Sequence, residues 1–521
     1  MMKYLRLLIL LLTLPLPVLS QAPAFFGLLE QKLPERPEKE FQFLAYYYNH
    51  GMFTNMYPEN DFLKGQIIGR LYGQNTTTTS DSLRPFFFEQ RLLPFLIYQP
   101  KLFDGRAILR ASFEIDWTWG DVSYGVGGNF GSAVSSDQVN IQTQNVELEL
   151  IPAKGWAVNL GLQRMYDTPF NPYRSFFDQL TTTGYRLMYW GTDGVGINLR
   201  RDGDFGRWKL GYYQLYENNV EENDDVTLME ATYIQHLGMA LDWGGSAYYV
   251  RDRANGEGGP SVLGQGLNSI LTGYNGTYRF PFGADPYKAD VAWLGTFFGY
   301  NSQYMMSPWF ANGFVNVNVG SARSYTGNLV KRDISILGLG ANLRAGYRYG
   351  QTPNDALIVD LLYTSGDRNG ASDDKYAGVL TGNMWGTPAA LYISHGGYLL
   401  FPHANVVNRY ISAVTDISNL GYGILGGTLN LSRDFVPNKL QGKLGTAMAW
   451  SNVKPTGGGD FMGVEANGKV AYQFGPFMSV ELHGAYLWLG DFFDSPSVNG
   501  GFEQRPVDPF TAFLAFKWLM F

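Results

Sequence analysis

The sequence predicts an all-β protein: a transmembrane antiparallel β-barrel of about 18 strands, with short periplasmic turns and long extracellular loops. Three observations predict it. The 521-residue chain is rich in aromatic side chains and glycine and has no cysteine. Segments about the length of a membrane-crossing strand alternate between apolar and polar residues. The connections between these segments alternate between short and long.

The first twenty residues, MMKYLRLLILLLTLPLPVLS, are typical of a secretory signal peptide. Lys3 and Arg6 precede an apolar run, and prolines and small residues follow it. The alternative, a transmembrane anchor, requires about 20 unbroken apolar residues, which this segment lacks. We expect cleavage after Ser20. The lack of cysteine excludes a lipoprotein anchor, disulfides and thiolate metal sites.

Alternation is clearest in VEANGKVAYQF, residues 464–474. Val464, Val470 and Tyr472 fall on one face of a strand, and Glu465 and Lys469 fall on the other. Eleven residues are about the length of a tilted strand that crosses a bilayer. A soluble β-sandwich also alternates, so the connections between strands decide between the two classes.

Every second connection is short, and the intervening ones are mostly long and polar, which is the asymmetry of an outer-membrane barrel. The even count places both termini in the periplasm, and one missed hairpin changes it to 16 or 20. The predicted strands are 63–74, 84–99, 106–117, 141–151, 155–163, 190–201, 206–217, 226–236, 239–251, 270–280, 288–299, 335–349, 355–364, 421–432, 439–450, 464–474, 478–489 and 509–521.

Three parts of the chain follow from this assignment: a signal peptide at 1–20, an N-terminal periplasmic or lumenal segment at 21–62, and the barrel at 63–521. An extra strand within 21–62 is an alternative. The largest loop, 365–420, is rich in glycine and aromatic residues. We expect it to fold inward as a constriction.

The chain ends in FLAFKWLMF, which predicts the last barrel strand, closing against 63–74. Trp518 and Phe521 are assigned to an aromatic girdle at the membrane interface and to the signal read by the barrel-insertion machinery. Lys517 shares a face with Phe521 in an alternating strand, so the face that meets lipid stays open.

A barrel of eighteen strands is wide enough for an aqueous lumen. Inward cations predict an electropositive conduit for anions. The alternative is a cross-strand lattice of ion pairs, because acids such as Glu147, Glu149 and Asp360 share these faces. The pore-lining candidates are Arg106, Arg110, Arg164, Arg200, Arg279, Arg344, Arg348, Lys443 and Lys469.

Three stretches carry a resemblance: LGLQRMYDTPF at 160–170, GTDGVGINLR at 191–200 and LLYTSGDRNG at 361–370. The chain resembles the alginate-export family of outer-membrane β-barrel channels. The matching motif residues are Asp193, Gly194, Ser365, Gly366 and Asp367, whereas residues 161–164 depart from the family's Gly-Arg-Gln stretch. The resemblance implies eighteen strands, passage of an anionic polysaccharide and inward arginines that attract it.

Enzyme activity is not expected. The five histidines, His50, His236, His395, His403 and His483, form no recognised catalytic or zinc pattern with their neighbours in sequence. No cofactor or metal is expected. The net charge of −7 gives no support for nucleic-acid binding.

The functional hypothesis is therefore a passive channel, integral to the bacterial outer membrane, that exports or admits an anionic saccharide. A general diffusion porin and a plugged barrel that serves as scaffold in a secretion or surface-anchoring complex are the alternatives. The expected partners are outer-membrane lipid, lipopolysaccharide, the insertion machinery and a saccharide or small solute.

Overall fold

The computed structural model describes residues 33–520 except for 59–69, 72–75, 120–139, 165–192, 205, 218–219, 221, 239, 257–277, 302–306, 381–395, 402–411 and 415. The predicted signal peptide and Phe521 lie outside the described residues. Among the residues described, no helix has the length and apolar character needed to cross a membrane.

Eighteen long strands of the described chain form one closed antiparallel barrel. The first strand pairs with both the second and the last, which closes the sheet. The strands are β1 (Phe41–Thr54), β2 (Phe86–Tyr98), β3 (Ala107–Trp119), β4 (Asn140–Leu150), β5 (Trp156–Arg164), β6 (Asp193–Asp202), β7 (Gly206–Tyr216), β8 (Val226–His236), β9 (Leu241–Asp252), β10 (Tyr287–Tyr300), β11 (Trp309–Thr326), β12 (Leu329–Arg348), β13 (Ala356–Thr364), β14 (Ile424–Val436), β15 (Leu440–Trp450), β16 (Phe461–Gly475), β17 (Met478–Leu489) and β18 (Phe510–Met520).

The predicted number of strands is confirmed, but two of the assignments are wrong. Strand β1 lies within the segment 21–62, so the barrel begins at residue 41 rather than 63. The last strand closes against β1, with Ala45 opposite Met520, and not against 63–74. Of the latter stretch, residues 70–71 belong to a small separate sheet with Met56–Pro58 and Thr76–Thr79.

The second error concerns residues 300–334, which were predicted to be a loop. They contain β11, which joins β12 through a two-residue turn at 327–328. Conversely, residues 278–280 of the predicted strand 270–280 are not in a strand, and 257–277 lie outside the described residues. Two barrel strands are missed, and the described residues of 63–74 and 270–280 lie outside the barrel sheet, so the predicted number of strands is nevertheless right.

Alternate connections define two rims. The short-turn rim contains 99–106, 151–155, 437–439 and 476–477, and the opposite, long-loop rim contains most of the long connections. The turn at 327–328 is an exception on the long-loop rim, and Gly327 there has a φ of 60° that favours glycine.

The outer wall is apolar between two rows of aromatic residues. Leucines such as Leu337, Leu482 and Leu514 are more than half exposed on it. Trp156 and Trp208 pack edge to face near the short-turn rim, with ring centroids 5.5 Å apart. Aromatic pairs near the long-loop rim are Phe53–Phe510, Trp450–Phe461 and Tyr486–Trp488. An apolar belt between aromatic girdles is typical of a barrel that spans a membrane.

Strand β18 shows which face of the last strand points outward. Trp518 is 40% exposed on the outer wall, as expected for an interfacial girdle residue. Lys517 points inward and forms an ion pair with Glu481 at 2.8 Å. The lysine that disturbs the apolar pattern of the terminus therefore belongs to the lumen.

The inner wall is apolar in one sector near the long-loop rim. Inward residues of β8–β12, among them Val250, Val291 and Trp293, pack against loop residues from two connections. The rings of Tyr278 and Tyr376, one from each connection, stack 4.2 Å apart. The two loops thus share a hydrophobic core with the strands inside the barrel.

Candidate functional site

The lumen wall of β3–β6 carries a lattice of buried ion pairs. Arg110 binds Glu147 and Glu149, each at 3.1 Å. Arg200 binds Glu149 at 2.6 Å and donates to the Asn159 amide oxygen at 3.0 Å. Each of these side chains is under 10% exposed. Because each cation faces a carboxylate, this part of the wall is electrostatically compensated.

Arg344 on β12 repeats the same arrangement. Its Nε donates to Asp360 of β13 at 2.7 Å, and Asn342 donates to the other carboxylate oxygen at 2.7 Å. Three predicted pore-lining arginines, Arg110, Arg200 and Arg344, therefore lie on the lumen wall but in pairs with acids. For these three residues the structure corresponds to the lattice interpretation.

The strands β15, β16 and β18 present lysines instead. Lys443 and Lys469 are directly opposite each other on neighbouring strands. Lys517 lies nearby: both Lys517 and Lys469 are close enough to Glu481 to stabilise its negative charge. Lys469 forms no ion pair with any of the residues that the structure describes. Like charges directly opposite on adjacent strands destabilise a sheet, and here the carboxylates of Glu465 and Glu481 lie close enough to act on Lys443 and Lys469, respectively.

The remaining predicted lining residues are placed elsewhere. Arg106 is exposed at the short-turn rim, just before β3. Arg279 is exposed, and residues 278–280 around it are not in a strand. Arg348 lies at the short-turn end of β12, over the ring of Phe310 at 4.3 Å. The side chain of Arg164, at the end of β5, is outside the described part of the structure.

The Ser-Gly-Asp motif pins the beginning of the long loop, residues 365–423. Ser365 accepts a hydrogen bond from the backbone of Leu339 and donates one to the backbone of Ala377. Asp367 accepts from the backbone N–H groups of residues 369, 371 and 377 at 2.9–3.1 Å. A Cβ on Gly366 would lie 2.3 Å from the carbonyl oxygen of Tyr422. The motif therefore holds the start of the loop against β12 and against Tyr422 at its end.

The Asp-Gly motif at 193–194 begins β6, where Gly194 is opposite Gln163 of β5. The side chain of Asp193 is not described, so its role stays a prediction. In the middle of this motif-bearing wall, Gln163 donates to the backbone oxygen of Gly196 at 3.0 Å.

The long loop enters the barrel in its described parts, as expected of a constriction. At residues 376–380, Leu380 accepts a hydrogen bond from the Trp293 indole at 2.8 Å and donates one to Asn318 at 3.0 Å. At residues 396–401, Leu399, Leu400 and Phe401 are completely buried. Sequence reasoning named neither set of wall contacts, because they join residues that are far apart in the chain.

The second loop segment is held by Glu465 of β16. The Tyr398 N–H donates to one carboxylate oxygen at 2.7 Å, and the N–H groups of Leu399 and Leu400 donate to the other at 2.9 and 2.7 Å. The Tyr398 hydroxyl lies 2.8 Å from His483 Nδ1. His483 Nε2 is 2.9 Å from Glu481.

Two further histidines, His50 and His236, each lie beside one carboxylate. His50 lies 3.2 Å from Glu89 inside the wall, and His236 contacts Asp242 at the short-turn rim. His395 and His403 lie outside the described residues. Within the described chain, His, Asp and Glu side chains form no group of three able to hold a metal ion.

No protein-family model matches the chain, and no curated protein is significantly similar to it. Solved structures with a similar fold include three Pseudomonas aeruginosa proteins. OccK5 (OpdH) is 10% identical with a TM-score of 0.45, over 92% of this chain and 99% of that one. OccK2 (OpdF) in complex with glucuronate is 10% identical with a TM-score of 0.45, over 92% and 96%. OpdK with vanillate is 11% identical with a TM-score of 0.45, over 92% and 98%.

At this level of similarity the likeness concerns the fold alone. None of these three structures is described as an alginate exporter, so the resemblance to the alginate-export family stays a prediction.

Proposed function

We propose that the chain is a passive channel of the bacterial outer membrane that exports or admits an anionic saccharide or another small anionic solute. The short-turn rim faces the periplasm, and the long-loop rim faces the outside. The observation that carries the proposal is the pair of directly opposed lysines, Lys443 and Lys469, on the inner wall.

The outer belt is apolar and suits lipid, and the closed inner wall is largely polar and suits water, as a membrane channel requires. The compensated arginine lattice adds little net field, because each of its arginines faces a carboxylate. Three lysines of β15, β16 and β18 lie in this sector beside two acids: Glu465 acts electrostatically on Lys443, and Glu481 on Lys469 and Lys517. An anion that passes this sector relieves the repulsion between the lysines.

The first test is the reversal potential of the purified barrel in a planar bilayer under a salt gradient. Anion selectivity is expected, and it should fall in the double variant Lys443→Gln/Lys469→Gln. Lys331→Gln is the control for each single substitution: it removes one positive charge from a lysine that is more than half exposed near the long-loop rim, where it pairs with Asp285. Cation selectivity of the wild type contradicts the proposal.

Solute binding is tested by block of the current. Glucuronate, vanillate and an alginate oligomer are suitable probes because each carries a carboxylate. Block that weakens in the lysine double variant supports an anion path through this sector. Equal block by neutral saccharides of the same size indicates a general diffusion porin instead.

A plugged scaffold is the second candidate. It is favoured by the core that Tyr278, Tyr376 and Trp293 form inside the long-loop end of the barrel. A folded protein with negligible conductance and a stable partner on purification would identify a scaffold. A conducting barrel without such a partner identifies a channel.

A further inference from the structure

We infer that Glu465 is a positioning residue that seats residues 396–401 of the long loop in the lumen and so sets the aperture and places Tyr398 beside the lysines. This inference rests on the proposed channel function. It assigns the selectivity of that channel to one wall carboxylate and one loop segment.

The contacts between Glu465 and the loop are dense and local. Three consecutive backbone N–H groups, those of Tyr398, Leu399 and Leu400, donate to its two carboxylate oxygens at 2.7–2.9 Å. Consecutive N–H groups that converge in this way form a concave anion-binding surface. Here the anion is a side chain of the barrel itself.

The carboxylate and the loop need each other. Glu465 is completely buried, and a buried carboxylate is costly unless it is hydrogen bonded. Apart from the loop, the donor that reaches it is the Asn467 amide at 2.8 Å, and the same amide nitrogen donates to Gly396 of the loop at 3.0 Å. Removing the carboxylate therefore leaves three buried loop donors without their acceptor.

The seat also determines what a solute meets. With 398–400 held at Glu465, the Tyr398 hydroxyl reaches His483 at 2.8 Å and the Tyr398 ring lies 5.4 Å from the Lys443 ammonium. The ring thus covers part of the lysine group that we propose attracts anions. Loss of the seat should widen the path and uncover Lys443, so that small anions and larger ones are discriminated less.

The chain contains no cysteine, so a single introduced cysteine is a specific probe of the seat. Leu399→Cys places a thiol at a position that is completely buried while the loop is seated. We expect slow reaction with a water-soluble maleimide in this variant. Adding Glu465→Gln should accelerate labelling about tenfold, the change in open fraction that follows from losing one hydrogen bond to a charged group.

Glu230→Gln in the same Leu399→Cys background is the matched control. It makes the same change of charge at a buried carboxylate of the inner wall, whose partners Lys209 and Tyr213 lie on β7. Labelling at its unchanged slow rate is expected. Equal rates in the Glu465→Gln and Glu230→Gln backgrounds overturn the inference.

Single-channel conductance of Glu465→Gln, without the cysteine, is the second measurement. A larger conductance and a smaller difference in permeability between chloride and glucuronate support the inference, and wild-type values for both contradict it. If heat-modifiable mobility shows that Glu465→Gln does not fold, Asn467→Ala, which removes the bond to Gly396, replaces it. A wild-type barrel that does not conduct refutes the proposed channel, while the labelling rates still test the seat.

Discussion

Replacing Glu149 by Gln removes the carboxylate that two arginines of the inner wall share. Arg110 keeps its second partner, Glu147, at 3.1 Å, but Arg200 keeps only the neutral Asn159 oxygen at 3.0 Å. Both ion pairs of Glu149 are therefore lost, and among the described residues Arg200 is left without a carboxylate partner. Breaking such a pair by removing one partner costs about 3–5 kcal/mol, and the retained bonds place the expected loss of unfolding free energy near the lower end, about 3 kcal/mol.

The assay is urea unfolding of the refolded barrel in detergent micelles, followed by tryptophan fluorescence. The double variant Glu149→Gln/Arg200→Met removes both charges and should recover most of the loss, since an apolar replacement of a whole buried pair is often neutral. A double-mutant cycle then isolates the coupling between the two residues.

Glu149→Gln also distinguishes a compensated ion-pair lattice from an electropositive conduit. If Arg200 belongs to a compensated lattice, the stability falls and the reversal potential changes little. A stability change below about 1 kcal/mol together with a strong shift in reversal potential would refute the lattice, because the arginine would then act on the permeating ion rather than on the wall.

Three further predictions concern the loops. Asp367→Ala leaves three loop N–H groups without acceptors and should destabilise the start of the long loop by about 3 kcal/mol, seen as faster tryptic cleavage there; an unchanged cleavage rate contradicts this. The Asn55 amide, just after β1, donates to the backbone of 508 and accepts from the backbone of 510, both at 2.9 Å. Asn55→Ala should therefore lower the temperature of the heat-modifiable shift by several degrees. No change would show that this contact does not stabilise the closure of the barrel between β1 and β18. A hydrogen bond from Arg505 lowers the pKa of Asp494, so the stability that this surface pair adds, at most about 1 kcal/mol, is present above the ordinary Asp pKa and disappears as the pH falls through the lowered one. The difference in stability between wild type and Asp494→Asn should therefore be constant from about pH 7 to pH 5, and a difference that disappears in that interval contradicts the pair.

The strands that sequence reasoning found are those whose two faces differ in polarity. β16 alternates cleanly because Val464 and Val470 face outward while Glu465 and Lys469 face the lumen. β1 was missed because Tyr48 and Met52 on its inner face are as apolar as its outer face. These two side chains are buried against residues from distant parts of the chain, which the local sequence does not reveal.

β11 was missed for a different reason. Its valines at 315 and 319 and its asparagines at 316 and 318 do alternate. Assigning a barrel strand to 270–280, however, shifts the order of short and long connections, and β11 then falls where a long loop is expected. Where strands are assigned from the order of short and long connections, one misplaced strand also misplaces the next one.

The site shows the same division. The inward positions of Arg110, Arg200, Arg344, Lys443 and Lys469 follow from alternation. Which acid each cation meets depends on the register of the strands, and so the lattice on β3–β6 and the lysines of β15 and β16 could not be told apart beforehand. Glu465 gave no signal as an anchor, since its partners are backbone N–H groups 65–67 residues away.

The sequence by itself determined a closed, antiparallel barrel and its two chemically different faces, because strand periodicity is a local property and hydrocarbon permits no unpaired strand edge. Only the tertiary structure decided where the barrel closes, which charges cancel and where the long loop is seated. Those features depend on contacts between distant segments, and the energies of such contacts exist only once the barrel has brought the segments together.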